Sequence, residues 1–309
     1  FFGTQSWYES KGANYIQVSN MYRAFLNNSE SVDVVYRRDS SASKEMPSNS
    51  GVHLISCGRG RFGRFIYSVR LLLLFLSYRR KKEFDLVYTR SLVFALCVVL
   101  LTGQSRVMLE LHAGFKSFLH KLAFKLFVSL GGGVICISES LKSYLLTSVS
   151  RSIEAWVLPD AHSFSVSSVK YDIDLNCDAF QVGYFGGVTD QKGKKYLQAL
   201  VNSELQGVTV NVFTKDVMSL RRGRGLGRYE YLTHEDCYEE MLNQDALLLL
   251  VEPQGGGADI SPFTSPLKLF EYLACGKPII ASDLPIIREI LEDGETGILI
   301  KHTVDDFKK

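Results

Sequence analysis

The chain has 309 residues, of which 46% are apolar and 22% are charged, and its formal net charge is only +2. This balance excludes a disordered or fibrous protein, and the length suits two α/β domains better than one. The longest apolar stretches, such as residues 92–101, are shorter than the roughly 20 residues that cross a bilayer, so we expect no transmembrane helix.

The charge is divided unevenly along the chain. Residues 1–165 hold 20 Lys and Arg against 11 Asp and Glu, a net of +9, whereas residues 166–309 hold 15 against 22, a net of −7. The N-terminal half is therefore predicted to meet something anionic, such as a membrane surface or a phosphorylated acceptor; nucleic acid is not expected. The 6 cysteines have no metal-binding or redox spacing, which favours a reduced compartment.

Short β-branched runs alternate with helical patterns, which is typical of parallel sheets covered by helices. Residues 1–4 are interpreted as the end of a first strand, and further strands are predicted at 32–36, 85–88, 106–111, 134–137, 155–158, 180–185, 208–213, 246–251, 278–281 and 297–300. The polar stretch 163–178 predicts a linker, so the domains are expected at 1–165 and 166–309. Ligands of such open sheets bind beyond the carboxyl ends of the strands.

Two basic stretches of the N-terminal half have amphipathic character. Residues 61–82 place six apolar residues between basic flanks that end in Arg79, Arg80, Lys81 and Lys82, and residues 115–130 interleave lysines with phenylalanines. Such segments are attracted to anionic bilayers. The alternative is a pair of core helices with solvated basic ends, and the sequence leaves both open. The expected location is the cytoplasm, with the inner face of the membrane as a site of peripheral attachment.

The strongest local signal lies at residues 265–278. Ser265 is predicted to cap a helix, Pro266 to occupy its first position, and Gly276 to end it. The glycine loop 255–257 precedes this helix. The first backbone amides of the helix, near Leu267 and Lys268, would then bind a diphosphate without any metal.

Glu271 lies within this otherwise largely apolar helix. Its carboxylate would accept hydrogen bonds from vicinal ribose hydroxyls, or would simply pair with Lys268 at i,i+3. The helix pattern alone does not separate the two hypotheses.

The stretch 265–300, with Ser282-Asp283-Leu284-Pro285 and Asp293-Gly294-Glu295-Thr296-Gly297, resembles the C-terminal signature of family 4 glycosyltransferases. Weaker matches follow the family's order at 85–90, 110–112, 137–139, 158–160, 185–187 and 192–193. The resemblance implies a GT-B fold, in which two Rossmann-like α/β domains with parallel sheets face a central cleft. The N-terminal domain would bind the acceptor and the C-terminal domain the nucleotide-sugar donor.

The resemblance also implies an activity: retaining transfer of a sugar from a UDP- or GDP-sugar to a hydroxyl of a sugar, lipid-linked or glycan acceptor. Synthesis of bacterial surface polysaccharide or glycolipid would be the setting. No cofactor or metal is expected, and Asp172-Ile173-Asp174, which imitates a metal-binding motif, lies in the predicted linker. A nucleotide-sugar epimerase of the same architecture and a non-catalytic nucleotide-sugar-binding subunit remain as alternatives.

The resemblance assigns roles to individual residues. His112, Lys192 and Glu271 would be the catalytic set, with His112 on the donor's sugar or phosphate, Lys192 on the diphosphate and Glu271 on the ribose. Further donor-binding residues would be Gly12, Gly186, Gly187, Ser265, Pro266, Leu267 and Lys268. A lone histidine is more often structural, and a tight turn explains Gly12 equally well.

The sequence departs from the family pattern at two positions. Gly187 stands where the family usually carries an arginine on the diphosphate, which leaves Lys192 as the main cationic candidate. Phe263 stands where the first glutamate of a paired motif normally contacts the donor sugar, so the identity of that sugar is open.

Overall fold

The computed structural model describes residues 1–8, 13–29, 31–39, 51–58, 60–103, 106–149, 153–161, 179–203, 205–214, 234–252, 263, 266–301 and 306. The chain divides into two compact units, Phe1–Pro159 and Asp160–Lys309. The sequence placed the boundary at 165/166. The predicted linker 163–178 lies outside the described residues.

The N-terminal unit is built on a parallel sheet in the order β3-β2-β1-β4-β5-β6-β7. Its strands are β1 (Phe2–Trp7), β2 (Val34–Asp39), β3 (Val52–Cys57), β4 (Val87–Thr89), β5 (Val107–Leu111), β6 (Gly133–Cys136) and β7 (Ala155–Val157). Its helices are α1 (Ala13–Asn27), α2 (Gly60–Arg79), α3 (Leu92–Thr102), α4 (Phe118–Ser129) and α5 (Glu139–Val149). The sheet reverses its order of growth at β1 and β4, which places a topological switch point between these two strands.

The C-terminal unit holds a second parallel sheet, in the order β12-β11-β10-β8-β9. Its strands are β8 (Phe180–Phe185), β9 (Val208–Phe213), β10 (Ala246–Leu249), β11 (Ile279–Ser282) and β12 (Ile298–Ile300). Its helices are α6 (Lys194–Asn202), α7 (His234–Leu242), α8 (Leu267–Cys275) and α9 (Pro285–Arg288), with a 3-10 turn at Asp190–Lys192. Both sheets are parallel and carry helical crossovers, as the alternating sequence pattern predicts.

Local sequence explains where several elements begin and end. The Ser91 side chain accepts a hydrogen bond from the Phe94 amide at the start of α3, and Gly103 ends that helix with φ 60°. Gly276 ends α8 in the same left-handed conformation, as predicted. In the C-terminal core the rings of Phe185 and Phe213 stack with their centroids 4.4 Å apart.

The predicted strands are all present, with ends shifted by a few residues, but β3 was not predicted. Among the described strands it pairs with β2 alone, at the edge of the sheet. Among the described residues, no helix combines the length and the apolarity that a membrane crossing requires.

Candidate active site

The turn after β8 begins with Gly186, whose backbone demands glycine. Its φ of +145° lies where side chains are strained, and a Cβ atom there would come within 3.1 Å of the Lys268 Cε atom. The Gly186 amide donates to the Phe213 carbonyl, which fixes the turn to the sheet. Gly186 and Lys268, predicted to share the diphosphate site, therefore do lie together.

Tyr184 holds the remainder of this loop. Its hydroxyl lies 2.9 Å from the Gly187 carbonyl oxygen and 3.4 Å from that of Lys192. Burial raises the pKa of the phenol, so Tyr184 remains a protonated donor at any ordinary pH. The backbones of Gly187 and Lys192 are thus joined through one side chain, while the Lys192 side chain is exposed.

The start of α8 differs from the prediction by one position. Helical conformation begins at Leu267, and Pro266 is the capping residue with φ −77° and ψ 102°, so Pro266 is not the first helical residue. An extended ψ at Pro266 removes it from the helix. Ser265, the predicted cap, lies outside the described residues, as do Gly12 and the loop 255–257.

The prediction of an anion site concerns the first amides of α8. The Leu269 amide bonds to the Pro266 carbonyl at 2.8 Å, whereas those of Leu267 and Lys268 donate to no described residue. A helix start leaves such donors without intrahelical partners, and they favour an anion.

Glu271 is a buried carboxylate on α8 with a single described partner. Its side chain is 7% exposed, and Oε2 lies 3.3 Å from the Lys268 Nζ atom. This is the i,i+3 ion pair that the sequence allowed, but it is longer than the 2.7–2.9 Å typical of charge-assisted bonds. A carboxylate accepts about four hydrogen bonds, so most of the capacity of Glu271 is unused by the described residues.

Tyr272, the next residue, anchors α8 to the sheet. It is fully buried, and its hydroxyl accepts from the Phe185 amide at 3.3 Å and donates to the Leu248 carbonyl at 3.4 Å. The anchor fixes α8 beside the end of β8, where the Gly186 turn begins. Glu271, Lys268 and Gly186 therefore form one site within the C-terminal unit.

A second cluster lies at the carboxyl ends of β4 and β5 in the N-terminal unit. Glu110 receives a two-pronged bond from Arg90, with Nε–Oε2 at 2.7 Å and Nη2–Oε1 at 3.1 Å. The His112 Nε2 atom lies 2.8 Å from the same Oε1. Arg90 also donates to the Asn14 Oδ1 atom at 3.0 Å, which ties the first turn of α1 to this cluster.

Electrostatics fix the state of this cluster. Burial raises the pKa of Glu110, but the hydrogen bond from His112 and the charge of Arg90 outweigh it and lower that pKa to about 2. The ionised carboxylate accepts the Nε2 proton of His112 and thereby orients the imidazole ring. His112 remains one-third exposed, so it is available to a ligand.

The sequence missed Glu110 and Arg90 as site residues. The sequence contains a signal for Glu110: side chains two residues apart in a strand point to the same face, so Glu110 and His112 are expected side by side. The structure thus forms two groups: Gly186, Lys268 and Glu271 in one unit, and His112 in the other. No group of three His, Cys, Asp or Glu side chains with the geometry of a metal site occurs in the described part of the chain.

Residues 181–309 match the family model described as "Glycosyl transferases group 1". The matched range contains Gly186, Lys192, Lys268 and Glu271, and it covers almost all of the C-terminal unit. The C-terminal unit is a group 1 glycosyltransferase domain. The prediction that the protein is a glycosyltransferase is thereby confirmed. No curated protein sequence matches the chain.

Solved structures share the architecture over the whole chain. Sucrose-phosphate synthase from Thermosynechococcus elongatus is 16% identical with a TM-score of 0.72, covering 99% of this chain and 87% of its own. HepE from Anabaena, in complex with UDP and glucose, is 14% identical with a TM-score of 0.64, covering 99% and 88%.

The apo lipopolysaccharide outer core galactosyltransferase WaaB is 16% identical with a TM-score of 0.67, covering 99% and 87%. At such identities the likeness establishes the fold alone. The GT-B fold predicted for this glycosyltransferase is confirmed.

Proposed function

We propose that this glycosyltransferase moves a sugar, with retention at the anomeric carbon, from a UDP- or GDP-sugar to an acceptor hydroxyl. The observation that carries the proposal is Glu271, a buried carboxylate with one long bond, placed beside Gly186 in a group 1 glycosyltransferase domain. A buried charge with unused acceptor capacity is costly unless a ligand completes it. Two vicinal ribose hydroxyls supply the missing donors.

The leaving diphosphate develops negative charge that must be stabilised. The amides of Leu267 and Lys268, at the positive end of α8, are oriented donors that make no bond to a described residue. Lys192 adds a cation from the loop that Tyr184 holds. This arrangement needs neither a metal nor a cofactor.

His112 contacts the donor's sugar or phosphate in this proposal. Glu110 orients the ring, and the exposed part of the imidazole is left for the ligand. The oxygen of the donor phosphate assists deprotonation of the acceptor, as the family resemblance implies, so no protein nucleophile is required. Gly12 and Ser265, which lie outside the described residues, are proposed as further contacts of the donor.

A UDP-sugar is the first donor to test, since HepE was solved with UDP and glucose. Nucleotide-sugars are screened by thermal shift, because a ligand that binds only the native state raises its melting temperature. The donor that binds is then incubated with candidate acceptors, and release of UDP or GDP is followed. We expect release of UDP or GDP only when the acceptor is present. The anomeric configuration of the transferred sugar should be the same in the product as in the donor.

The same assay separates the two alternatives. Formation of an altered sugar without acceptor would identify an epimerase, and binding without turnover would identify a non-catalytic subunit. The acceptor is proposed to be a sugar, lipid-linked or glycan hydroxyl in bacterial surface polysaccharide or glycolipid synthesis. The likeness to WaaB, a lipopolysaccharide enzyme by its name, supports this setting without naming the linkage.

The outer faces of α2, α3 and α4 support a membrane location. α3 contacts both α2 and α4, and each helix leaves large apolar side chains exposed opposite its buried face. The most exposed are Phe62, Phe65, Leu73, Val93, Leu101, Phe118 and Leu119, all above 55%. None of the three helices contains an Asp or Glu, and their charged residues are Arg61, Arg64, Arg70, Arg79, Lys121 and Lys125.

We infer that this face attaches the enzyme to the anionic inner surface of a membrane, because exposed apolar side chains among cations suit lipid headgroups. The five described cysteines are all free, which agrees with a cytoplasmic location. Sedimentation with anionic but not neutral vesicles, weakening as salt rises, is expected.

Replacing Phe118 and Leu119 with Ser should reduce this binding, whereas Ile298→Ser, an exposed apolar change in the other unit, should not. Lys82 is a poor target because it pairs with the buried Asp33. Equal binding to neutral and anionic vesicles would contradict the proposal.

A further inference from the structure

Arg37 is a buried guanidinium in β2 that has no carboxylate partner among the described residues. The residue is 5% exposed. Nε lies 3.4 Å from the Cys57 Sγ atom and Nη2 lies 3.3 Å from the Gly58 carbonyl oxygen. The guanidinium carbon lies 4.1 Å from the centroid of the Trp7 ring. Nη1 makes no hydrogen bond to any described residue.

These contacts hold the guanidinium in place without neutralising it. Bonds to a thiol and to one carbonyl at these lengths are weak, and an arginine has five N–H donors to satisfy. The ring of Trp7 offsets part of the cost of burying the charge. A buried cation normally requires an anionic partner, and the described part of the protein supplies none.

The position of Arg37 is one where ligands of open sheets bind. Trp7 ends β1, Cys57 ends β3, and Arg37 lies near the end of β2 between them. Trp7 and Arg37 are register partners across the β1–β2 pair. The guanidinium therefore lies at the carboxyl edge of three neighbouring strands of the N-terminal unit.

The start of α2 adds a second positive feature at the same edge. Gly60 begins this 20-residue helix with φ +85°, and a Cβ atom on Gly63 would lie 1.8 Å from the Gly58 carbonyl oxygen. Only glycine at position 63 lets the first turn of α2 pack on Gly58, the residue that Arg37 contacts. The amides of the helix start are thereby brought near the guanidinium.

We propose that Arg37, backed by Trp7 and the start of α2, binds a phosphate group carried by the acceptor. The planar guanidinium matches phosphate oxygens with two parallel bonds, which a lysine does not do. The assignment of the phosphate to the acceptor rests on the proposed transfer reaction. The phosphate site itself does not depend on which donor the protein binds. It assigns part of the positive charge of the N-terminal half to a specific ligand group.

Trp7 provides a local reporter for this site. The chain has 2 tryptophans, so Trp156→Phe leaves Trp7 as the only one. Inorganic phosphate is titrated into this variant at constant ionic strength, with UDP and GDP present to occupy the donor site. A saturable change in Trp7 emission is expected. Adding Arg37→Gln should weaken phosphate binding at least about tenfold, since it removes a charged donor pair.

The matched control is Arg38→Gln, which removes an adjacent half-buried cation on the opposite face of β2 and should leave the titration unchanged. Arg37→Lys keeps the charge but not the planar pair of donors, so it should bind phosphate several-fold more weakly than the parent. This variant keeps the test decisive if Arg37→Gln fails to fold, and thermal melts identify that case.

The proposal is overturned by the absence of a saturable Trp7 response. It is equally overturned if folded Arg37→Gln or Arg37→Lys binds phosphate as the parent does, or if Arg38→Gln loses binding to the same extent. Glucose 6-phosphate and phosphatidic acid vesicles then show whether a soluble molecule or a lipid carries the phosphate. Loss of the phosphate response with donor binding retained refutes this inference alone, whereas absence of nucleotide-sugar binding refutes the proposed function alone.

Discussion

Two buried glutamates, one in each unit, illustrate different uses of the same side chain. Glu110 is 5% exposed and is bonded by both Arg90 and His112, with its shortest contact at 2.7 Å. Glu271 is 7% exposed and has one described contact, to Lys268 at 3.3 Å. Burial is nearly equal, so the difference lies in how far the protein itself satisfies each carboxylate.

The comparison separates a positioning role from a binding role. The hydrogen bonds from Arg90 and His112 offset the desolvation of the buried Glu110 carboxylate, which orients His112 and is not needed to bind a ligand. Glu271 keeps acceptor capacity that no described residue fills, which is the basis of its proposed role in binding the donor. Removing Glu110 should therefore damage the fold, and removing Glu271 should damage donor binding.

The largest expected effect is on stability. Glu110→Ala should lower the free energy of unfolding by about 3 to 5 kcal/mol, because it strands the buried Arg90 guanidinium without its partner. Urea unfolding followed by circular dichroism measures the change. Glu271→Ala serves as the matched control and should cost about 1 kcal/mol or less. Similar losses in both variants would remove the contrast between the two sites.

The pH dependence of stability gives a second measure of Glu110. Its folded pKa of about 2 lies below the ordinary value of 4.5, so its stabilising contribution is complete above pH 4.5 and is lost as pH falls towards 2. A shift of that size corresponds to a contribution on the order of 3 kcal/mol.

The free energies of unfolding of the parent and of Glu110→Gln are compared between pH 7 and pH 3. Their difference should be constant above pH 5 and should shrink below it. A difference that stays constant down to pH 3 would show that Glu110 is not preferentially ionised in the folded protein.

The order of strands and helices was predictable from the sequence, because the buried strands of parallel sheets appear as short apolar runs between helical patterns. The ten strands β2 and β4 to β12 overlap predicted apolar runs. The boundary between the two units, at Pro159 and Asp160, lies close to the polar stretch predicted as a linker. The edge strand β3 was not predicted because its alternation of apolar and polar residues is weak. His53 and Ser56 interrupt the apolar positions, and an edge strand buries less of its surface.

Site residues were predictable where the chain itself places them together and not where tertiary contacts do. Lys268 and Glu271 lie one turn apart, so their pairing follows from helix geometry. Arg37, by contrast, reads as a surface residue of a strand, and only the fold brings Trp7 and Gly58 against it. Pro266 shows a finer limit, since whether a proline caps or begins a helix depends on its ψ angle.

The third prediction concerns Glu271 and donor affinity. If the carboxylate binds ribose hydroxyls, Glu271→Ala should weaken nucleotide-sugar binding at least about tenfold, because each charge-assisted bond is worth about 1.5 to 3 kcal/mol. Glu271→Gln should lose less, since it keeps the shape and part of the bonding. Titration calorimetry measures both affinities, with thermal melts as the folding control.

Lys268→Met is the matched control for this test, because it removes the ion pair and leaves the Glu271 carboxylate in place. If the pair were the only purpose of Glu271, both variants would bind the donor as the parent does. A folded Glu271→Ala protein with unchanged donor affinity would remove the central residue of the proposed site.

The smallest expected effect is that of a chelator, for which we expect no change. In the proposed mechanism the amides of Leu267 and Lys268, which donate to no described residue, and the cation of Lys192 stabilise the leaving diphosphate without a metal ion. Initial rates of acceptor-dependent nucleotide release should therefore be equal with and without EDTA. Loss of turnover in EDTA that Mn²⁺ or Mg²⁺ restores would mean that a metal ion, and not the start of α8, stabilises the leaving diphosphate. Glu271 would then have to be reconsidered as a ligand of that ion instead of the ribose.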